Sequence, residues 1–148
     1  MLEHLGQTRP AALRLLLPCD LAQVRVAAEM ARKFLAEQGC DPQELLDCEL
    51  ALVEACNNAI KHAKPANWKN PVIVEIIWHA EEVELRVTDS SPGFDWPEAG
   101  KLPQQESQSG RGLFLIQSLT DYTNYFRSPS ANILVMRKKH PPKNPMFG

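Results

Sequence analysis

Between Asp41-Pro42 and Pro65 apolar residues recur at helical spacing, and three polar residues fall into line among them. Asp is a preferred N-cap and Pro a preferred first helical residue. Pro65 disfavours continuation, so the segment predicts a helix from Pro42 to about Lys64. Leu45, Leu46, Leu50, Leu52, Val53, Ala55, Cys56, Ala59 and Ile60 make it apolar nearly all round, which predicts a buried helix. Glu54, Asn58 and His62 then stand at i, i+4 and i+8 and stack on one face. An unpaired charge beside a core is costly, so the line calls for a cation, a hydrogen-bonding partner or a solvent-filled cleft. Glu and Asn oxygens are hard donors suited to Mg²⁺. The alternative is that this face simply meets water, with His62 only capping the helix or facing its C-terminal dipole.

Around this helix the pattern predicts a single domain over 12–139, with a loose leader at 1–11 and a mobile tail at 140–148. Ala12–Leu17 reads as a short strand ended by Pro18, and Asp20 caps a helix running to about Gln38 and closed by Gly39. Val72–Trp78 and Val83–Thr88 are rich in β-branched residues and read as a hairpin through Ala80-Glu81-Glu82. Residues 90–111 form a long Ser-, Pro-, Gly- and Gln-rich loop, a length usually tied to function or disorder. Gly112–Leu119 predicts a short helix; Tyr122–Phe126 and Ile133–Lys138 predict two closing strands about a turn at Ser128–Asn132.

The bulk composition narrows the function classes. A formal net charge of −2 argues against a basic nucleic-acid-binding surface. No apolar stretch reaches the ~18 residues of a membrane span. Ala12–Leu17 is interrupted by Arg14 and followed by Pro18 and Asp20, unlike a signal peptide. A cytoplasmic protein is therefore expected. Cys19, Cys40, Cys48 and Cys56 form no CxxC pair and read as reduced thiols rather than a metal site or disulfides.

Two further motifs carry chemistry. In Thr88-Asp89-Ser90-Ser91-Pro92-Gly93-Phe94 an Asp closes a strand and enters a turn. That is either a simple turn or a carboxylate placed to accept a hydrogen bond from the amino group of a base. Ser109-Gly110-Arg111-Gly112-Leu113-Phe114-Leu115-Ile116 leads from the loop into a helix. Glycines let backbone N–H groups approach an anion, a helix N-terminus favours phosphate, and Arg111 can add a charged contact. Neither a P-loop sequence nor GxGxxG occurs.

Taken in order, Glu54-x-x-x-Asn58-x-x-x-His62, Asp89-x-x-x-Gly93 and Gly110-Arg111-Gly112-Leu113 resemble the Bergerat-type ATPase fold of histidine kinases, gyrase and MutL. The finer resemblance is to the anti-sigma-factor serine/threonine kinases of the RsbW/SpoIIAB type. It covers about residues 12–138, with Val53–His62 similar to that family's first box and Gly110–Ile116 to its last.

The resemblance implies an α+β fold, a two-layer α/β sandwich whose antiparallel or mixed sheet carries helices on one face. It implies an ATP- and Mg²⁺-dependent kinase that phosphorylates a STAS-type anti-anti-sigma protein and also binds a sigma factor or other regulator, as a homodimer. The implied roles are Glu54 as general base, Asn58 on Mg²⁺, and Asp89 on the adenine amino group. Gly93 would shape the base pocket, and Gly110, Arg111 and Gly112 would close over the phosphates; His62 and Leu113 belong to the same nucleotide-binding boxes. Ser91 departs from the glycine often found two residues after the Asp, and no Gly-Thr precedes the last strand, where Ser130 and Asn132 are the nearest polar residues. A 148-residue chain filled by this fold leaves no room for the phosphoacceptor hairpin of a sensor kinase. A non-catalytic, nucleotide-dependent binding module is the alternative function, and a structural domain with a vestigial site the third.

Overall fold

A computed structural model describes residues 10–93 and 108–142, with the backbone alone for 108–111. Most of the expected leader, tail and long loop lies outside the described residues, although Ala11, expected in the leader, already belongs to the first strand. Strand β1 (Ala11–Leu17) opens the fold and pairs with β2 (Val72–Trp78). The sheet continues through β3 (Glu82–Asp89) and β5 (Asn132–Lys139) to β4 (Tyr122–Arg127), antiparallel at every step, in the order β1-β2-β3-β5-β4. Helices α1 (Val24–Glu37), α2 (Pro42–Lys61) and α3 (Gln108–Leu119) cover one face. The α+β sandwich expected from the sequence is therefore the fold observed, with an all-antiparallel sheet.

Period-2 alternation sorts the strands onto two faces. Leu17, Val72, Val74, Ile76, Val83, Leu85, Val87, Leu134 and Met136 point to the helices and join Ala27, Ala31, Leu35, Cys48, Leu52, Cys56 and Ile116 in one core. Local chemistry fixes the helix ends. Asp20 accepts a hydrogen bond from Ala22 N, but it caps a short 3-10 turn (Leu21–Gln23) ahead of α1 rather than α1 itself. Gly39 takes a positive φ of 81° after α1, and Gly39 N and Cys40 N bond back to Ala36 O and Leu35 O, closing the helix in a Schellman motif. Asp41 accepts from Gln43 N and Glu44 N and starts α2 as read from the sequence.

Several expectations shift. Helix α2 ends at Lys61 rather than Lys64, and a separate 3-10 turn spans Pro65–Asn67. It is not buried all round: Leu46 and Leu50 are 47% and 41% exposed, because only the flank against the sheet and its neighbouring helices is covered. Helix α3 starts at Gln108, one turn before Gly112. Asn132 belongs to β5, not to the preceding turn, since it pairs with Asp89 and Arg127. His140 is anchored at the end of β5. Its N–H reaches Glu81 O at 2.9 Å, its Nδ1 lies 2.5 Å from Glu44 Oε2 and its Nε2 lies 2.8 Å from His79 O.

Candidate nucleotide site

Helix α2 is held by its apolar flank, and that fixes where its polar line points. Asn58 is 5% exposed, and its Nδ2 has no hydrogen-bond partner among the described residues. Helix α3 runs against the same flank. A Cβ at Gly112 would lie 2.9 Å from Glu54 Oε2 and 3.3 Å from Asn58 Nδ2. Glu54, Asn58 and Gly112 therefore meet, although they come from segments more than 50 residues apart. Gly110 and Arg111 lie in the first turn of α3, where backbone N–H groups lack intrahelical acceptors. The Arg111 side chain is outside the described residues, and Leu113 is buried at 3%.

His62 closes α2, with its N–H on Asn58 O at 3.0 Å. Burial pushes its imidazole below the ordinary histidine value against the opposing pull of Asp89, and Lys64 and Lys61 lower it further. The Asp89 influence ties the end of the α2 line to the end of β3.

Asp89 is 7% exposed on the helix-facing side of the sheet. Its Oδ1 accepts Ser91 N at 2.9 Å, Ser91 Oγ at 2.6 Å and Asn132 Nδ2 at 3.1 Å. Asn132, 1% exposed, also donates to Ser91 O at 2.7 Å, and Gly93 N donates to Ser91 Oγ at 3.1 Å. An ionised carboxylate accepts and never donates, so Asp89 suits a ligand amino group. Gly93 adopts φ 83°, and a Cβ there would sit 2.8 Å from Arg127 Nε and 3.0 Å from Asn132 Oδ1. Arg127 Nη2 donates to Pro92 O at 3.0 Å, which fastens the turn to β4. Both the backbone angle and the crowding require glycine at this position.

The structure thus gathers two groups of the sequence-predicted residues: Glu54, Asn58 and Gly112 on the helices, and Asp89 and Gly93 at the sheet end, with His62 between them. Sequence reasoning left Asn132 unassigned and treated Ser91 only as a departure. Asn132 could be found only from register, because it stands opposite Asp89 across β3 and β5. Ser91 supplies through its hydroxyl a contact that a glycine could not make.

Among the described residues no three His, Cys, Asp or Glu side chains gather as a metal site. All four cysteines are free, and burial pushes the Cys56 thiol up to about 12. A cavity of about 750 Å³ opens at the opposite end of the sheet, beside Glu44, Trp78, Glu81 and His140. Glu44 and His140 already bond each other there, so the ligand-seeking groups lie elsewhere.

Comparison with known proteins agrees with the observed fold. Residues 17–138 match the family described as histidine kinase-like ATPase domain. The chain is 23% identical over 134 residues to a serine-protein kinase RsbW of Listeria monocytogenes, covering 84% of this chain and 85% of the relative. It is 24% identical over 138 residues to the RsbW of Staphylococcus aureus, covering 86% of each. Its fold resembles the SiaB–SiaC complex from Pseudomonas aeruginosa (TM-score 0.65, 15% identity, 93% of this chain and 94% of that one). It also resembles the RsbU and RsbW domains of a Mycobacterium tuberculosis protein (TM-score 0.65, 19% identity), covering 89% of this chain and 33% of that longer one.

Proposed function

The chain belongs to the histidine kinase-like ATPase domain family, and from that premise we propose that it is an ATP-dependent protein serine/threonine kinase and anti-sigma-type partner switch. Its substrate is a serine on a STAS-type anti-anti-sigma protein, and its second partner is a sigma factor or another regulator. The observation that carries the reading is the meeting of Glu54 and Asn58 with the start of α3 at Gly112. The RsbW relatives support the reaction class, since they are named serine-protein kinases.

Asp89 accepts the adenine amino hydrogen, while Ser91 and Asn132 fix the carboxylate through its other oxygen. Gly93 keeps the wall of the base pocket thin. Gly110, Arg111 and Gly112 present the first turn of α3 to the phosphates. Glu54 accepts the serine hydroxyl proton as the serine oxygen bonds to the γ-phosphorus. The bond from that phosphorus to the β–γ bridging oxygen breaks, and its electron pair leaves with ADP. Such transfers need mainly positioning, charge neutralisation and a base near the incoming hydroxyl.

The residues fit Mg²⁺. Asn58 is buried with its amide nitrogen unpartnered among the described residues, and its Oδ1 is a hard donor. A bound Mg²⁺ would supply charge neutralisation at the phosphates, with Asn58 Oδ1 as the protein ligand. Among the described residues no helix is long and apolar enough to cross a membrane, which is compatible with cytoplasmic action.

The test is Glu54→Ala, assayed with γ-labelled ATP and a STAS-type protein. Transfer should collapse while Mg-ATP binding persists. Undiminished transfer would remove Glu54 from the base role. A wild type that binds Mg-ATP yet phosphorylates no STAS-type protein would instead establish a nucleotide-dependent binding module.

A further inference from the structure

Between Glu54 and Glu75 the chain has no Asp or Glu, yet it places Lys61, Lys64 and Lys69 there, in a molecule whose formal net charge is −2. All three lysines are exposed, and no ion pair engages them among the described residues. By contrast, Arg32 is taken up by Glu49, Arg86 and Arg137 by Glu84, and Lys138 by Asp47. Trp68 stands among the lysines at 59% exposure, the most open aromatic side chain of the described residues.

The loop that carries Trp68 is held at several points. Around the 3-10 turn at Pro65–Asn67, Lys64 N donates to Asn67 Oδ1 at 3.2 Å and Asn67 N to Lys64 O at 2.7 Å. Trp68 N donates to Pro65 O at 3.3 Å, and Asn70 N to Asn67 O at 2.9 Å. Asn70 fastens the loop to the candidate site. Its Nδ2 donates to Ser90 Oγ at 3.2 Å, next to Asp89, and its carbonyl accepts the Cys19 thiol at 3.3 Å. A tryptophan on a loop already fixed loses little freedom on binding, and such side chains anchor protein interfaces.

The patch adjoins the α2 line. Lys61 lies in the last turn of α2, about 10 Å along the axis from Glu54. Lys61 and Lys64 are both close enough to His62 to help lower its imidazole. The sign of the lysines and the bare indole together fit a surface that is acidic around an apolar notch. A nucleic acid would need a basic stripe that follows several phosphates, and here the basic stretch is short and bounded by Glu54 and Glu75, so a protein is the favoured occupant.

We propose that the Lys64–Lys69 loop docks the protein substrate, with Trp68 entering an apolar notch ringed by Asp or Glu side chains on the partner. The inference rests on the kinase reading above and deepens it. A contact away from the reacting atoms holds substrate and transition state alike, so it sets KM for the protein and leaves kcat alone.

The test uses the full chain, γ-labelled ATP and the STAS-type protein that the wild type phosphorylates. Trp68→Ala, and the double variant Lys64→Glu with Lys69→Glu, should each raise KM for that protein by about tenfold or more, with kcat, Mg-ATP affinity by calorimetry and the circular dichroism spectrum unchanged. Raising salt from about 50 to about 500 mM should raise the wild-type KM steeply and that of the double variant little. Normal transfer with an unmoved protein KM in both variants would remove the docking site alone. Weakened Mg-ATP binding by Trp68→Ala would assign the indole to the nucleotide instead, and Trp68-dependent binding of a single-stranded oligonucleotide would assign the patch to nucleic acid; either overturns the proposal. A wild type that phosphorylates no STAS-type protein would remove the kinase reading and this inference with it.

Discussion

A methyl group at position 112 would meet Glu54 Oε2 at 2.9 Å, and 3.3 Å separates it from Asn58 Nδ2. Alanine gains up to ~1 kcal/mol of helix propensity over glycine, and the carboxylate tip can turn aside. Gly112→Ala should therefore change folding stability by less than about 1 kcal/mol. The displaced carboxylate is the proposed base, so phosphate transfer should fall by at least about tenfold, a loss of ~1.4 kcal/mol in the barrier. Single-turnover transfer beside a urea titration separates the two effects. Asn132→Leu acts differently. It removes the donor shared by Asp89 and Ser91 from a buried site, and should cost about 1–3 kcal/mol. It should also weaken Mg-ATP binding, read by calorimetry. Unaltered nucleotide affinity in a folded Asn132→Leu chain would separate Asn132 from the base pocket.

Among the elements, α2 was the most legible from sequence, and its limits show why. Asp41 and Pro42 mark its start by chemistry that acts within a few residues. Asp41→Ala leaves Gln43 N and Glu44 N without their side-chain acceptor, and should cost about 1 kcal/mol in thermal or urea unfolding without altering phosphate transfer. The exposure of Leu46 and Leu50 was not legible, because the apolar pattern does not say which flanks the neighbours leave bare. Helix α3 begins a turn earlier than its apolar period suggests, since Gln108 and Ser109 carry no apolar mark. The boxes around Glu54, Asp89 and Gly112 could be read as local strings. Asn132 could not, because its partner lies 43 residues away and only the pairing of β3 with β5 brings them together.

At the scale of the whole molecule, two titrations act in the same direction. Burial pushes the Glu84 carboxyl up, but hydrogen bonds from Arg137 and Arg86 and their charges outweigh it, and it lies below its ordinary value. Its contribution is present above the unfolded carboxyl value and is lost as pH falls through the lowered one. His62 is lowered by burial. The unfolded chain thus takes up that proton first, and stability declines as pH drops below ~6.5, the ordinary histidine value. Urea midpoints should therefore fall steadily from neutral pH toward pH ~4. Glu84→Gln should flatten the lower part of this profile and His62→Gln the upper.

Asp89, Asn132 and Arg127 look toward the helices, while Thr88, Ile133 and Phe126, each one residue along, look outward. Slipping β5 by one residue would turn a leucine-sized hydrocarbon toward the polar turn at Ser91 and an amide toward the outer face, so both surfaces veto the same error.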